Sequence, residues 1–143
     1  MKVHGILWAL AMMAPLCAQN VSTIDKDEFL RHVDKWQLPD YPRKSANERH
    51  TGVVSARVVV DAGGHVNGVN VLSSPDAHIA ETVKTVIAQW VFKPFMENGS
   101  PKTVESTIYI EFRLHPVGPN VAIPGLTKQP EETIKAPHSH PSQ

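Results

Sequence analysis

The run Val104 to Leu114, V-E-S-T-I-Y-I-E-F-R-L, alternates with a period of two. Val104, Ser106, Ile108, Ile110, Phe112 and Leu114 fall on one side, and Glu105, Thr107, Tyr109, Glu111 and Arg113 on the other. That period buries one face of a strand and wets the other. Its β-branched and aromatic content suits a pleated surface, and no glycine or proline interrupts it. Any fold for this chain must give that strand a dry side and settle what lies along its two edges.

Two more strands precede it. Val54, Ala56, Val58 and Val60 share one face, and Asp61-Ala62-Gly63-Gly64 is turn chemistry because glycine reaches positive φ at little cost. The return strand, Val66 to Ser73, changes its apolar parity across Gly68, which predicts a bulge there. Ser74-Pro75-Asp76 reads as a helix start, with Ser74 as cap and Pro75 in the first position. Ile79, Val83, Val86, Ile87 and Trp90 then keep helical spacing. Pro94 ends that helix, Phe92 and Phe95 are available to the core, and Glu97-Asn98-Gly99-Ser100-Pro101 reads as a loop.

Residues 19–38 form a mixed segment that predicts one short helix from near Asp25, capped by Ser22 or Thr23, with Phe29, Leu30, Val33 and Trp36 as its stripe. Pro39-Asp40-Tyr41-Pro42 breaks it, Arg43 to His50 reads as a short helix or turn, and Gly52 opens a new element. After His115 the pattern stops. Pro116, Pro119, Pro124, Pro130, Pro137 and Pro141 punctuate a tail, 116–143, that is expected to be disordered. The domain is therefore expected over 39–115. Its fold class is α+β: two layers, a small antiparallel sheet made of the hairpin and the last strand, with helices on one face.

Charge and export narrow the setting. The 14 basic and 14 acidic residues cancel, and the longest basic cluster is Arg43-Lys44, so no footprint for nucleic acid exists. Residues 1–18 have the form of an export signal: Lys2, a short apolar core from Ile6 to Ala14, and Leu16-Cys17-Ala18 before a cut ahead of Gln19. That core is shorter than the ~20 residues a membrane helix needs, so no integral span is expected. A lipid anchor on Cys17 is the weaker reading, because that processing favours a small residue where Leu16 stands. Cys17 is the only cysteine, so a chain cut after Ala18 has no disulfide to lean on.

No catalytic constellation is visible. His50, His65 and His78 have no serine or carboxylate at a telling spacing, no glycine-rich phosphate loop occurs, and no cofactor is implied. An enzyme is not expected. His115, His138 and His140 suit a metal in type only, and the expectation is solvated side chains and no metal site.

Taken together, Tyr41-Pro42, Gly52, Asp61-x-x-Gly64-x-Val66, Ser73-Ser74, Trp90-x-Phe92-x-Pro94 and Gly99-x-Pro101 resemble the C-terminal domain of TonB/TolA-type energy transducers over roughly 39–114. Ser45 stands where that pattern commonly has alanine, and Asp40 where its best-known members have glutamine. The resemblance implies a periplasmic protein-docking module for TonB-dependent transmembrane transport, whose last strand takes an extended peptide of an outer-membrane receptor, or another envelope protein, by β-strand addition. It implies a binding role for Tyr41, Pro42, Glu105, Thr107, Tyr109, Glu111 and Arg113. Gly52, Asp61, Gly64, Trp90, Phe92, Pro94 and Gly99 are expected to be structural. Two further readings stay open: Tyr41 packs on the core instead of binding, and the edge serves an envelope structural module that forms a homodimer. Since a transducer's membrane helix is missing from this pattern, the expectation is a binding end without its motor link.

Overall fold

A computed structural model describes residues 20–126; the expected signal, Cys17, and the tail histidines His138 and His140 lie outside the described residues. In chain order the elements are β1 (Ser22–Thr23), α1 (Lys26–Arg31), β2 (Val33–Lys35), α2 (Arg43–Asn47), β3 (Gly52–Val60), β4 (Val66–Ser73), α3 (Ala77–Ile87), β5 (Val91–Phe92), β6 (Phe95–Glu97), β7 (Ser100–Lys102), β8 (Val104–His115) and β9 (Gly118–Ala122).

The alternation of β8 carries through: Val104, Ser106, Ile108, Ile110 and Phe112 are buried, while the residues between them are half-buried or exposed. β8 pairs antiparallel with β3 over nine residue pairs in unbroken register, from Val60↔Val104 to Gly52↔Phe112. β3 in turn pairs antiparallel with β4. There Val59 faces Gly68 and Val60 faces Val66, so Asn67 is the extra residue of a bulge beside Gly68.

The sheet is larger than hairpin plus last strand, and it is not purely antiparallel. β1 pairs parallel with Val104 and Glu105, and β9 pairs antiparallel with Glu111 to His115. Both corrections come from segments with little periodicity of their own. β1 has two residues. β9 contains Pro119, which faces Leu114 at a position where its missing N–H points away from β8.

One face of the sheet is closed by helices. Phe29 and Leu30 of α1, and Ile79, Val83 and Ile87 of α3, join Val54, Ala56, Val58, Val60, Ile108, Ile110 and Phe112 in a single core. α1 is capped by Asp25, whose side chain accepts from the Asp27 and Glu28 N–H groups; Ser22 and Thr23 are strand residues instead. α3 is capped by Asp76, not Ser74: the Asp76 side chain accepts from the Ile79 N–H, and Ser74 donates to the Asp76 carbonyl. The expected loop at 97–101 is a hairpin. Glu97 pairs with Ser100, and Asn98 (φ 52°) and Gly99 (φ 79°) make the positive-φ turn whose twist matches its strands.

After α3 the chain folds under the first turn. Trp90 and Phe92 are almost fully buried, whereas Pro94 is exposed and the following Phe95 fills the core. Phe29 stacks near both phenylalanines, with ring centroids 4.7 Å from Phe92 and 5.8 Å from Phe95. The Trp90 indole N–H donates to the Gln37 carbonyl at 3.0 Å, which ties the extended segment before α2 to the core.

Gly64 locks this arrangement. Its φ is +85°, its carbonyl accepts from the Phe92 N–H at 2.8 Å, and a Cβ there would stand 2.0 Å from the Phe92 carbonyl oxygen. Gly64→Ala is expected to cost ~2–3 kcal/mol in denaturant unfolding, from positive φ and displaced backbone together. Gly68→Ala meets nothing within 4 Å. It is expected to stay within ~1 kcal/mol of wild type, which makes it the control.

Candidate functional site

β3 occupies one edge of β8 from Val104 to Phe112, so the other edge is where a partner strand would add. The direction of the backbone groups there follows from one bond: the Ile24 N–H donates to the Glu105 carbonyl at 3.0 Å, so Glu105 faces outward. Backbone direction alternates along a strand, and the register with β3 has no shift. Thr107, Tyr109, Glu111, Arg113 and His115 therefore also present their N–H and C=O groups to the outer edge.

That edge is not open along its length, contrary to the expectation for 104–114. β1 takes Glu105, and Ser106 Oγ donates to the Ile24 carbonyl at 3.0 Å. β9 takes Glu111, Arg113 and His115, opposite Ala122, Asn120 and Gly118. Among the described residues, no strand pairs with Thr107 or Tyr109 on that side. Among the described residues, the open part is a window two outward residues long, framed by β1 and β9.

The side chains of the window lie on the wet face. Tyr109 is 45% exposed, opposite Ser55, and Val53, 49% exposed, is opposite Glu111. Glu105 accepts from the Thr23 hydroxyl at 3.2 Å, and Glu111 pairs with Arg113. Those two acids are thus engaged within the chain, and Thr107 and Tyr109 hold the centre of the face.

Tyr41 and Pro42 lie on the other side of β8. Pro42 leads α2, and the Tyr41 ring meets Phe112 edge-on with centroids 5.2 Å apart. Its hydroxyl donates to the His50 carbonyl. Tyr41 therefore packs on the core through the strand it was expected to assist. An open groove of about 630 Å³ continues from α2 to the β8–β9 turn, lined by Ala46, Asn47, Arg49, Leu114, His115 and Pro119 among others.

Behind Tyr41 is a polar cluster that sequence reasoning missed, joining the loop between α2 and β3 to the start of α3. His50 Nδ1 lies 2.7 Å from Asp76 Oδ2, while Asp76 Oδ1 accepts from the Ile79 N–H at 2.8 Å. Burial alone would raise the Asp76 carboxyl; contacts with the Ser45 hydroxyl, the Ile79 N–H and His50, plus the charge of His50, outweigh it and lower the pKa from 3.8 to about 2. The buried Ser45 hydroxyl stands outside ordinary hydrogen-bond geometry to any described residue, so the Ile79 and His50 bonds are the firmer contributors. Tyr41 is raised, first by its own burial and then by the Asp76 charge, and so stays protonated as a donor.

The expected structural residues sit away from the edge. Asp61 Oδ1 accepts from the Gly63 and His65 N–H groups at 2.9 and 3.0 Å, closing the β3–β4 turn that contains Gly64. Gly52 has φ +149° and lies against Pro75, beside the Asp76 cap. Trp90, Phe92 and Gly99 are placed as described above. No helix of the described residues is long and apolar enough to cross a membrane.

Because the folded Asp76 pKa is depressed, its contribution to stability is full above about pH 4 and is lost as pH falls through about 2. Asp76→Asn keeps a capping side chain but removes the charge. Acid titration of unfolding free energy is expected to show a shallower loss between pH 4 and pH 2 in the variant, and equal slopes would remove Asp76 from the account.

No curated protein matches the sequence. The family described as Gram-negative bacterial TonB protein C-terminal matches residues 37–114, which run from the segment before Tyr41 through all but the last residue of β8. The chain belongs to the TonB C-terminal domain family.

Proposed function

We propose that this chain is a periplasmic docking module of TonB type, which takes an extended peptide of an outer-membrane receptor as an added strand on β8 and serves TonB-dependent transport. The observation that carries this reading is the pair of outward residues, Thr107 and Tyr109, on which no strand of the described residues is laid. Backbone pairing would supply the affinity, and the wet-face side chains Tyr109, Thr107 and Val53 the selectivity. Export to the periplasm would place the edge where such peptides are found.

Magnitudes limit what the window does alone. Two outward residues offer about four hydrogen bonds at ~0.5–1.5 kcal/mol net each, or ~2–6 kcal/mol. Association costs ~4 kcal/mol or more before any gain is seen. A peptide held only by Thr107 and Tyr109 would thus keep at most about 2 kcal/mol, short of the about 4 kcal/mol that millimolar binding needs. Tighter binding needs a longer stretch of edge or side-chain contacts.

The test is a titration with peptides bearing the docking sequence of an outer-membrane receptor. Tyr109→Pro removes an outward N–H that does not pair with β3, and is expected to weaken binding about tenfold with the fold retained. Such a receptor peptide brings side-chain contacts beyond the two-residue window, so no binding at ~1 mM peptide would contradict the proposal. A tight dimer at micromolar concentration with β8 covered would give the self-associating module instead.

A further inference from the structure

The residues that could lengthen the docking edge are already paired, and the strand that pairs with them is poorly secured. We propose that β9 is an intramolecular strap: the chain's own Gly118–Ala122 holds the C-terminal half of the docking edge and must leave before a partner strand can extend past Tyr109. The identity of the competitor rests on the docking reading above; the strap itself stands on the observed pairing.

Competition follows from position. β9 bonds to Glu111, Arg113 and His115 on the same edge as the window, continuing in line from it. An incoming strand long enough to give useful affinity would need those same N–H and C=O groups. Both cannot be satisfied at once.

Weak anchorage follows from burial and from the turn. In β9 Pro119 and Asn120 are exposed and Val121 is only half-buried. The one buried anchor is Ile123, just beyond the strand, 7% exposed, after which Leu126 leans on the core. β8, by contrast, sends five side chains fully inward. Segments with few buried apolar contacts are the first to open.

The loop joining them is Pro116-Val117, with Val117 98% exposed. Two-residue turns that match strand twist need positive φ at their first residue, and proline is held near −65°. Among the described residues the non-glycine positions at positive φ are Arg49 and Asn98, so neither loop residue supplies it. The contrast with Asn98-Gly99, which joins β6 to β7 in the favoured geometry, lies within the same chain.

The strap acts as a tax on binding: apparent affinity falls by the fraction of molecules in which the edge is free. Three forms test this. One is the full chain. One ends after Val117. The third carries Leu114→Cys and Pro119→Cys with Cys17→Ser, so that a disulfide can form between residues that face each other across β8 and β9 at a close, non-hydrogen-bonded position. The probes are a synthetic peptide copying 117–124 of this chain and a receptor docking peptide.

The 117–124 peptide is expected to bind the shortened chain and not the full one. The receptor peptide is expected to bind the shortened chain about tenfold tighter than the full chain, and the oxidised locked chain about tenfold weaker than its reduced form. In the full chain, the amides of Glu111 and Arg113 are expected to exchange with solvent at least about tenfold faster than those of Ile108 and Ile110, which pair with β3. Equal exchange rates overturn the strap whatever the peptides do, including when the shortened chain fails to fold. Equal affinity of the receptor peptide for oxidised and reduced locked chains overturns it too. If no receptor peptide binds any form while the exchange difference is present, the docking reading falls and the strap stands.

Discussion

The interaction on which the rest depends is the unbroken pairing of β8 with β3. Nine pairs without a shift fix the direction of every backbone group on β8, and with it the face each side chain takes. Even-numbered residues from Val104 to Phe112 bond to β3 and point their side chains into the core. Odd-numbered ones turn their backbone outward and their side chains to water. A slip of one residue would put Ile108, Ile110 and Phe112 in solvent and Glu111 and Arg113 against Phe29 and Ile87. The buried face therefore specifies which residues are available to a partner.

What surrounds that ladder holds it in place from behind. Gly64 lets the β3–β4 turn sit against the backbone of Phe92, and Trp90 reaches across to the carbonyl of Gln37. Tyr41 spans from Phe112 to the His50 carbonyl, and Asp76 ties the start of α3 to His50. These contacts link the Tyr-Pro segment, the hairpin and the helix to the strand that carries the candidate edge. Rigid support of this kind is what allows a short stretch of backbone to be presented without first being ordered by a ligand.

Most of the framework was legible in the sequence because it is written in periodicity. β3, β4, α3 and β8 each repeat their apolar residues at the spacing of their element. Where the reading went astray, the deciding force was not periodic. Ser74 and Asp76 are both good caps, and the choice fell to Asp76 because it also pairs with His50, from a distant part of the chain. Asn98-Gly99 carried a hairpin signal that the flanking three-residue strands are too short to announce. β1 and β9 are strands by virtue of the edge they lie on: Ser22-Thr23 has no pattern, and Gly118–Ala122 shows only Val121 and, just beyond, Ile123 at a spacing of two among prolines. The strand and its two faces were thus legible in the sequence, but the partial occupation of its outer edge by the chain itself was not, since that depends on contacts between residues about 80 apart at one end and across a proline-led turn at the other.

The central claim is that the outer edge of β8 accepts a peptide strand at Thr107 and Tyr109. It is tested most directly by isotope-filtered NMR of the full chain bound to a receptor docking peptide. The account predicts cross-strand nuclear Overhauser contacts from peptide backbone protons to the amides of Thr107 and Tyr109. Contacts confined to β4, or to side chains with none to those two amides, would contradict it.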